Sequence, residues 1–251
     1  MPHMPPRRRG ETQPEDSLAA LEADIVACRQ CPRLVNWRES VAAEKRAAYV
    51  AWDYWGRPIP GFGDPAANVL VLGLAPAAHG ANRTGRVFTG DRSGDWIFAA
   101  LHRAGLASQE TSVHAGDGQR LVGARIAAAV RCAPPDNQPT PAERDTCAPW
   151  FDRELELVGP SLRVMLALGG FAWDGALAAA RRVGWAVPRP RPRFGHGASV
   201  ILARDGEPAV TLLGSYHVSQ QNTFTGRLTQ AMLDQVLGTA VRLHGGSGTT
   251  L

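Results

Sequence analysis

Apolar and polar positions follow two different periods along this chain. Nearly unbroken apolar runs stand at 69–73 (VLVLG), 125–131 (RIAAAVR), 162–168 (LRVMLAL) and 209–213 (AVTLL), and glycine closes or follows three of them. Runs of this length bounded by Gly predict strands buried on both faces. Between and beyond them, apolar residues recur three and four apart, which predicts helices over 18–28, 94–104, 142–158, 171–182 and 228–244. Ser17 is placed to cap the first helix, with Leu18, Leu21 and Ile25 on one face. Strands alternating with helices predict an α/β fold whose parallel sheet is covered on both faces. Residues 1–16 are rich in Pro and Arg and 245–251 in Gly, so both read as disordered flanks of one domain, 17–244.

In such folds the loops leaving the carboxyl ends of the strands form the site. Here they are 73–93, 131–141, 169–170 and 214–227, and they hold most of the unusual residues. The first, GLAPAAHGANRTGRVFTGD, brings glycines 73, 80, 85 and 90 together with Arg83, Arg86, Phe88 and Asp91. Glycines let backbone approach a ligand closely. Neither the phosphate-loop pattern nor the Gly-x-Gly-x2-Gly fingerprint occurs, so a nucleotide cofactor is not expected. The last loop, LGSYHVSQQNTFTGRLT, sets His217 among Ser215, Ser219, Gln221 and Asn222, with Phe224 and Arg227 beyond and Thr225 as a candidate helix cap. Amides, hydroxyls and an aromatic ring suit contact with phosphates and bases.

Composition narrows the classes. Hydrophobic residues at 44% and charged residues at 20% exclude a disordered, collagenous or coiled-coil chain. The net charge is +4, and all but one of the 27 basic residues are arginine, Lys45 being the exception. That balance permits a polyanionic partner. The longest apolar run, 164–173, is far shorter than the roughly 20 residues of a membrane span. The N-terminal segment lacks the apolar core of a secretory signal, so a cytoplasmic location is expected. Thiols stay reduced there, and the four cysteines need a reading other than disulfides. Cys28 and Cys31 form a Cys-x2-Cys pair, while fourteen residues separate Cys132 from Cys147. Four thiolates suit zinc or an iron–sulfur cluster, and His102 and His114 are possible alternative ligands.

Three blocks, GLAPAAHGANRTGRVFTGD, RCAPPDNQPTPAERDTC and GSYHVSQQNTFTGRLT, resemble the uracil-DNA glycosylase superfamily, specifically its type-5 branch. The resemblance implies a three-layer α/β/α fold around a central four-stranded parallel sheet. It implies a 4Fe-4S cluster held by Cys28, Cys31, Cys132 and Cys147. It also implies a monomeric repair enzyme acting at the nucleoid on duplex DNA. Phe88 then corresponds to the ring on which a flipped base stacks, beside Gly73 and Ala75. His217 corresponds to the donor that stabilises the departing base, and Asp91 and Asn137 to the residues holding the attacking water. Arg83, Arg86, Ser215, Ser219, Gln221, Asn222 and Arg227 are the expected DNA contacts. Most branches carry an acidic or amide side chain just after the first Gly, where this chain has Leu74 and Ala75. Related cluster-containing enzymes read uracil with an Asn at the position of Ala128. The first departure is shared by the type-5 branch and makes Asp91 the substitute; the second implies relaxed selectivity reaching hypoxanthine and ethenocytosine. The alternatives are a type-4 uracil-specific enzyme, a non-catalytic iron–sulfur DNA-binding protein, and a zinc-stapled nucleotide-binding module.

Overall fold

A computed structural model describes residues 16–245. The flanks expected to be disordered lie outside the described residues, apart from Asp16, which pairs with Arg153, and Gly245. Four parallel strands form the centre: β2 (Val69–Gly73), β3 (Ala124–Ala128), β4 (Val164–Leu168) and β6 (Val210–Ser215). Two short antiparallel edge strands extend the sheet, β1 (Phe62–Gly63) beside β3 and β5 (Ser199–Leu202) beside β6. The order is β1-β3-β2-β4-β6-β5.

Alternation along each strand builds two cores. Val69, Val71, Ile126, Val164 and Leu166 face one side, against Ile97, Phe98 and Leu101 of α4 (Arg92–Arg103) and Leu233 and Leu237 of α8 (Gln230–Gly245). Leu70, Leu72, Ala127, Met165 and Ala167 face the other. There they meet Phe151 and Leu155 of α5 (Pro141–Val158) and Trp173, Ala176 and Leu177 of α6 (Gly170–Arg182). Both faces are covered, and this is why the central strands are apolar throughout.

The predicted first helix forms over the expected residues, and a second helix that the pattern did not predict follows it. Ser17 caps α1 (Leu18–Ala27) through Ala20 N–H, and Cys28 ends it. After Cys31 comes α2 (Pro32–Glu44), opened by Pro32, which has no N–H to leave unpaired. Two short helices lie within the site loops, α3 (Ala81–Thr84) and α7 (Gln220–Phe224). Thr225 terminates α7 and does not cap α8; Thr229 Oγ1 accepts from Met232 N–H at the start of α8. Among the described residues no helix is long and apolar enough to cross a membrane.

Candidate active site

The strand β2 has β3 on one side and β4 on the other, so the loops leaving β2 and its neighbours part there and open a crevice. A cleft of about 680 Å³ fills it, lined among others by Gly73, Ala75, Phe88, Asp91, Ala128, Asn137 and His217. The structure therefore brings together every residue predicted to stack a base or hold water. Ser219 also lines this cleft.

Backbone geometry sets each side chain. Phe88 is held at φ 50°, a left-handed conformation unfavourable for a bulky residue. This turns its ring over Gly73, where a Cβ would stand 2.7 Å from the ring carbons, and its carbonyl against Gly94, where a Cβ would stand 2.1 Å away. The Phe88 and His217 rings lie 6.1 Å apart and are inclined by 37°. Asp91 is the N-cap of α4, its Oδ1 accepting from Gly94 N–H at 3.0 Å. Its other oxygen lies against Gly80, where a Cβ would be 2.0 Å from Oδ2. Burial raises the Asp91 carboxyl above its ordinary value, despite the capping bonds from Gly94 and Ser93 that act the other way. Burial lowers His217 to about 4, so its imidazole is neutral at pH 7. Asn137 follows Asp136 in a second successive left-handed residue, φ 56° after 54°, and this turn presents it, exposed, at the cleft.

Residues 60–240 match the family model of the uracil DNA glycosylase superfamily. The chain belongs to the uracil-DNA glycosylase superfamily. Within it the chain stands with the type-5 members. A type-5 uracil-DNA glycosylase of Mycobacterium bovis is 57% identical over 91% of this chain and 82% of its own length. The type-5 proteins of Mycobacterium leprae and Thermus thermophilus are 54% and 51% identical, over 96% and 95% of their lengths and 91% and 88% of this chain. A type-4 uracil-DNA glycosylase of Sulfurisphaera tokodaii is 23% identical over 60% of this chain and 54% of its own.

Within this glycosylase scaffold three expected DNA contacts are corrected. Arg83 is only 3% exposed, packed against the rings of Tyr49 and Trp52 at 4.0 and 4.1 Å. Its guanidinium donates to the carbonyls of His79 and Gly90, tying the two ends of the glycine-rich loop together. Arg86 is 4% exposed and donates to Thr89, Ser112 and Asp117 while lying over Phe62. Ser215 is fully buried and donates to the Tyr216 carbonyl. All three side chains are turned into the fold and away from the surface a duplex would meet. Asn222 is partly committed as well, its amide donating to the His217 carbonyl at 2.8 Å. Gln221 and Arg227 are exposed, the latter 4.8 Å over Tyr216.

The sequence reading missed His79, which lines the cleft and is hydrogen-bonded through Nδ1 to the Tyr54 hydroxyl at 3.0 Å. Its place in the same glycine-rich loop as Asp91 was the available signal. Arg46 and Arg92 also line the cleft and were not singled out. Beyond the cleft, all four cysteines line one small cavity with Leu34, Val35, Pro58, Trp150 and Arg131. Cys28 and Cys31 arrive from the facing ends of α1 and α2, Cys132 from beyond β3 and Cys147 from α5. Burial pushes the Cys132 and Cys147 thiols up to about 12 and about 11. His102 and His114 are exposed and do not line this cavity.

Proposed function

We propose that this chain is a type-5 DNA glycosylase that removes uracil from duplex DNA, and hypoxanthine and ethenocytosine as well, leaving an abasic site. The convergence of Phe88, Asp91, Asn137 and His217 on one cleft at the carboxyl end of the sheet carries this reading. A base in a duplex must leave the stack before its glycosidic bond is reachable, and Phe88 offers the flat apolar surface to receive it. Asn137 and Asp91 hold a water, and Asp91 takes its proton as the oxygen bonds to the sugar carbon. Raising a carboxyl by burial makes it a stronger base, so the burial of Asp91 serves this step. The carbon–nitrogen bond breaks and the base departs as an anion, its oxygen receiving a hydrogen bond from neutral His217. A neutral imidazole retains one N–H for this purpose, and burial keeps it neutral. The apolar wall of Ala75 and Ala128 presents no amide to one particular base edge, which favours breadth over selectivity. Gln221 and Arg227 are the exposed groups that face DNA.

The same reading places a 4Fe-4S cluster in the cysteine cavity, with Cys28, Cys31, Cys132 and Cys147 as ligands. Among the described residues no three His, Cys, Asp or Glu side chains converge as they would around one ion. The four cysteines of this one cavity would supply the four thiolates such a cluster needs. A cavity walled by Leu34, Val35, Pro58 and Trp150 excludes water from such a group. When bound, it supplies a cross-link between α1, α2 and α5.

Purified protein incubated with duplexes carrying one uracil, hypoxanthine or ethenocytosine tests the reading. Alkali-labile sites are expected on all three. Cleavage of uracil alone favours the type-4 alternative, and no cleavage of any substrate overturns the proposal.

A further inference from the structure

The cysteine cavity has a cationic wall that ordinary packing does not explain. Arg131 precedes Cys132, is 2% exposed and lines the cavity with all four thiols. One of its nitrogens, Nη2, donates to Glu154, yet Nε and Nη1 are buried with no partner among the described residues. Its backbone N–H donates to Cys147 Sγ at 3.3 Å. Arg38 repeats the pattern at 1% exposure: it donates to the carbonyls of Gly56 and Cys28, and its Nε has no partner. A buried donor without an acceptor carries its full desolvation penalty, a larger one when it is charged. Leaving three such N–H groups in one neighbourhood is expensive unless an anion receives some of them.

An ionic chain fixes Arg131 from behind. Fully buried Glu154 bridges Arg131 and Arg125, and Arg125 reaches on to Glu22. Glu22 belongs to α1, which delivers Cys28; Glu154 belongs to α5, which delivers Cys147; Arg125 lies on β3, beyond which stands Cys132. The chain therefore joins three of the elements that bring the cysteines together. Burial raises the Glu154 carboxyl, but its two arginine partners prevail and hold it below its ordinary range.

We infer that Arg131 is the charge-compensating donor of the cluster, directing its free N–H groups at the anionic sulfur of the bound group, with Glu154 and Arg125 as the residues that position it. This rests on the cluster reading above. Four thiolates on a four-iron core leave a net negative group, and a nearby guanidinium favours the more negative, reduced state over the oxidised one. Removing that charge makes an electron easier to withdraw.

The test is anaerobic purification of wild type, Arg131→Gln, Arg131→Lys and Glu154→Gln, followed by ferricyanide, which accepts one electron from the cluster. Iron content and bleaching of the thiolate-to-iron absorption are followed. Arg131→Gln is expected to bleach about tenfold faster, the scale of one charge-assisted hydrogen bond. Glu154→Gln leaves Arg131 charged and removes the carboxylate behind it, so it is expected to bleach more slowly than wild type. Arg131→Lys keeps the charge with a single donor head and falls between; it carries the comparison if the glutamine variant does not fold. Iron-loaded variants that all bleach at the wild-type rate overturn this inference alone. Zinc in place of iron in wild-type protein overturns the cluster reading and the inference together.

Discussion

Asp91 and His217 sit in one cleft, and burial moves them in opposite senses: the carboxyl up, the imidazole down. Both changes disfavour charge, yet their consequences differ. A carboxyl raised in the folded state stabilises the fold only below its unfolded value near 3.8, and this contribution is lost as pH rises through the folded value. At neutral pH the Asp91 carboxylate is therefore a burden on the fold. Asp91→Asn keeps an equally good helix cap and removes the charge. It is expected to melt higher than wild type at pH 7, with the gap closing near pH 4, while single-turnover cleavage falls by ~10²-fold or more. A melt at both pH values and a rate at saturating enzyme check this; a wild-type rate would remove Asp91 as the base. His217, and the Phe88 it faces, were legible because each stood in a loop beyond a strand that also carries glycine. The roles of Arg83 and Arg86 were not. A buried arginine and a surface arginine look alike in sequence, and the rings that hold Arg83, Tyr49 and Trp52, lie more than thirty positions away.

Elements carry the next level of control, through glycines that admit a neighbouring side chain. Gly80 opens α3 and leaves room for the Asp91 carboxylate at the start of α4. Gly80→Ala is expected to push that carboxylate away, breaking its bond to Gly94 N–H, with a rate loss approaching that of Asp91→Asn. Because the cap is lost as well, about 1 kcal/mol of stability goes with it, which separates this variant from Asp91→Asn in a thermal melt. The four central strands were readable as apolar runs, three of them closed or followed by glycine. Strand β1 was not, since two residues carry no period. Strand β5 was not either, since Ser199 and Ile201 are exposed on an edge strand and the expected alternation fails. Helix α2 buries Leu34, Val35, Arg38 and Val41 at helical spacing; the Cys-x2-Cys turn before it drew the reading toward metal chemistry and away from that pattern.

At the scale of the whole molecule, the four expected parallel strands form the centre of a six-stranded sheet, and the loop after β3 contributes residues to both the cleft and the cysteine cavity. With Arg83 and Arg86 withdrawn into the fold, the cationic face for DNA narrows to exposed groups such as Arg227. Arg227→Ala is expected to weaken binding to damaged and undamaged duplex alike and to flatten the salt slope by about one. Arg83→Ala, by contrast, is expected to lower thermal stability, because it unties the glycine-rich loop. Binding measured across a salt series decides between these roles. The connection between Cys132 and Cys147 has a property of its own. Its fourteen residues include Asn137, so when both cysteines are joined through a common group, Asn137 rides on a closed ring. Closing a ring of about 15 residues removes ~3 kcal/mol of chain entropy from the unfolded state. On the proposed roles of the cluster and of Asn137, clasp and amide are mechanically in series, and loosening the clasp is expected to cost activity before it costs the fold.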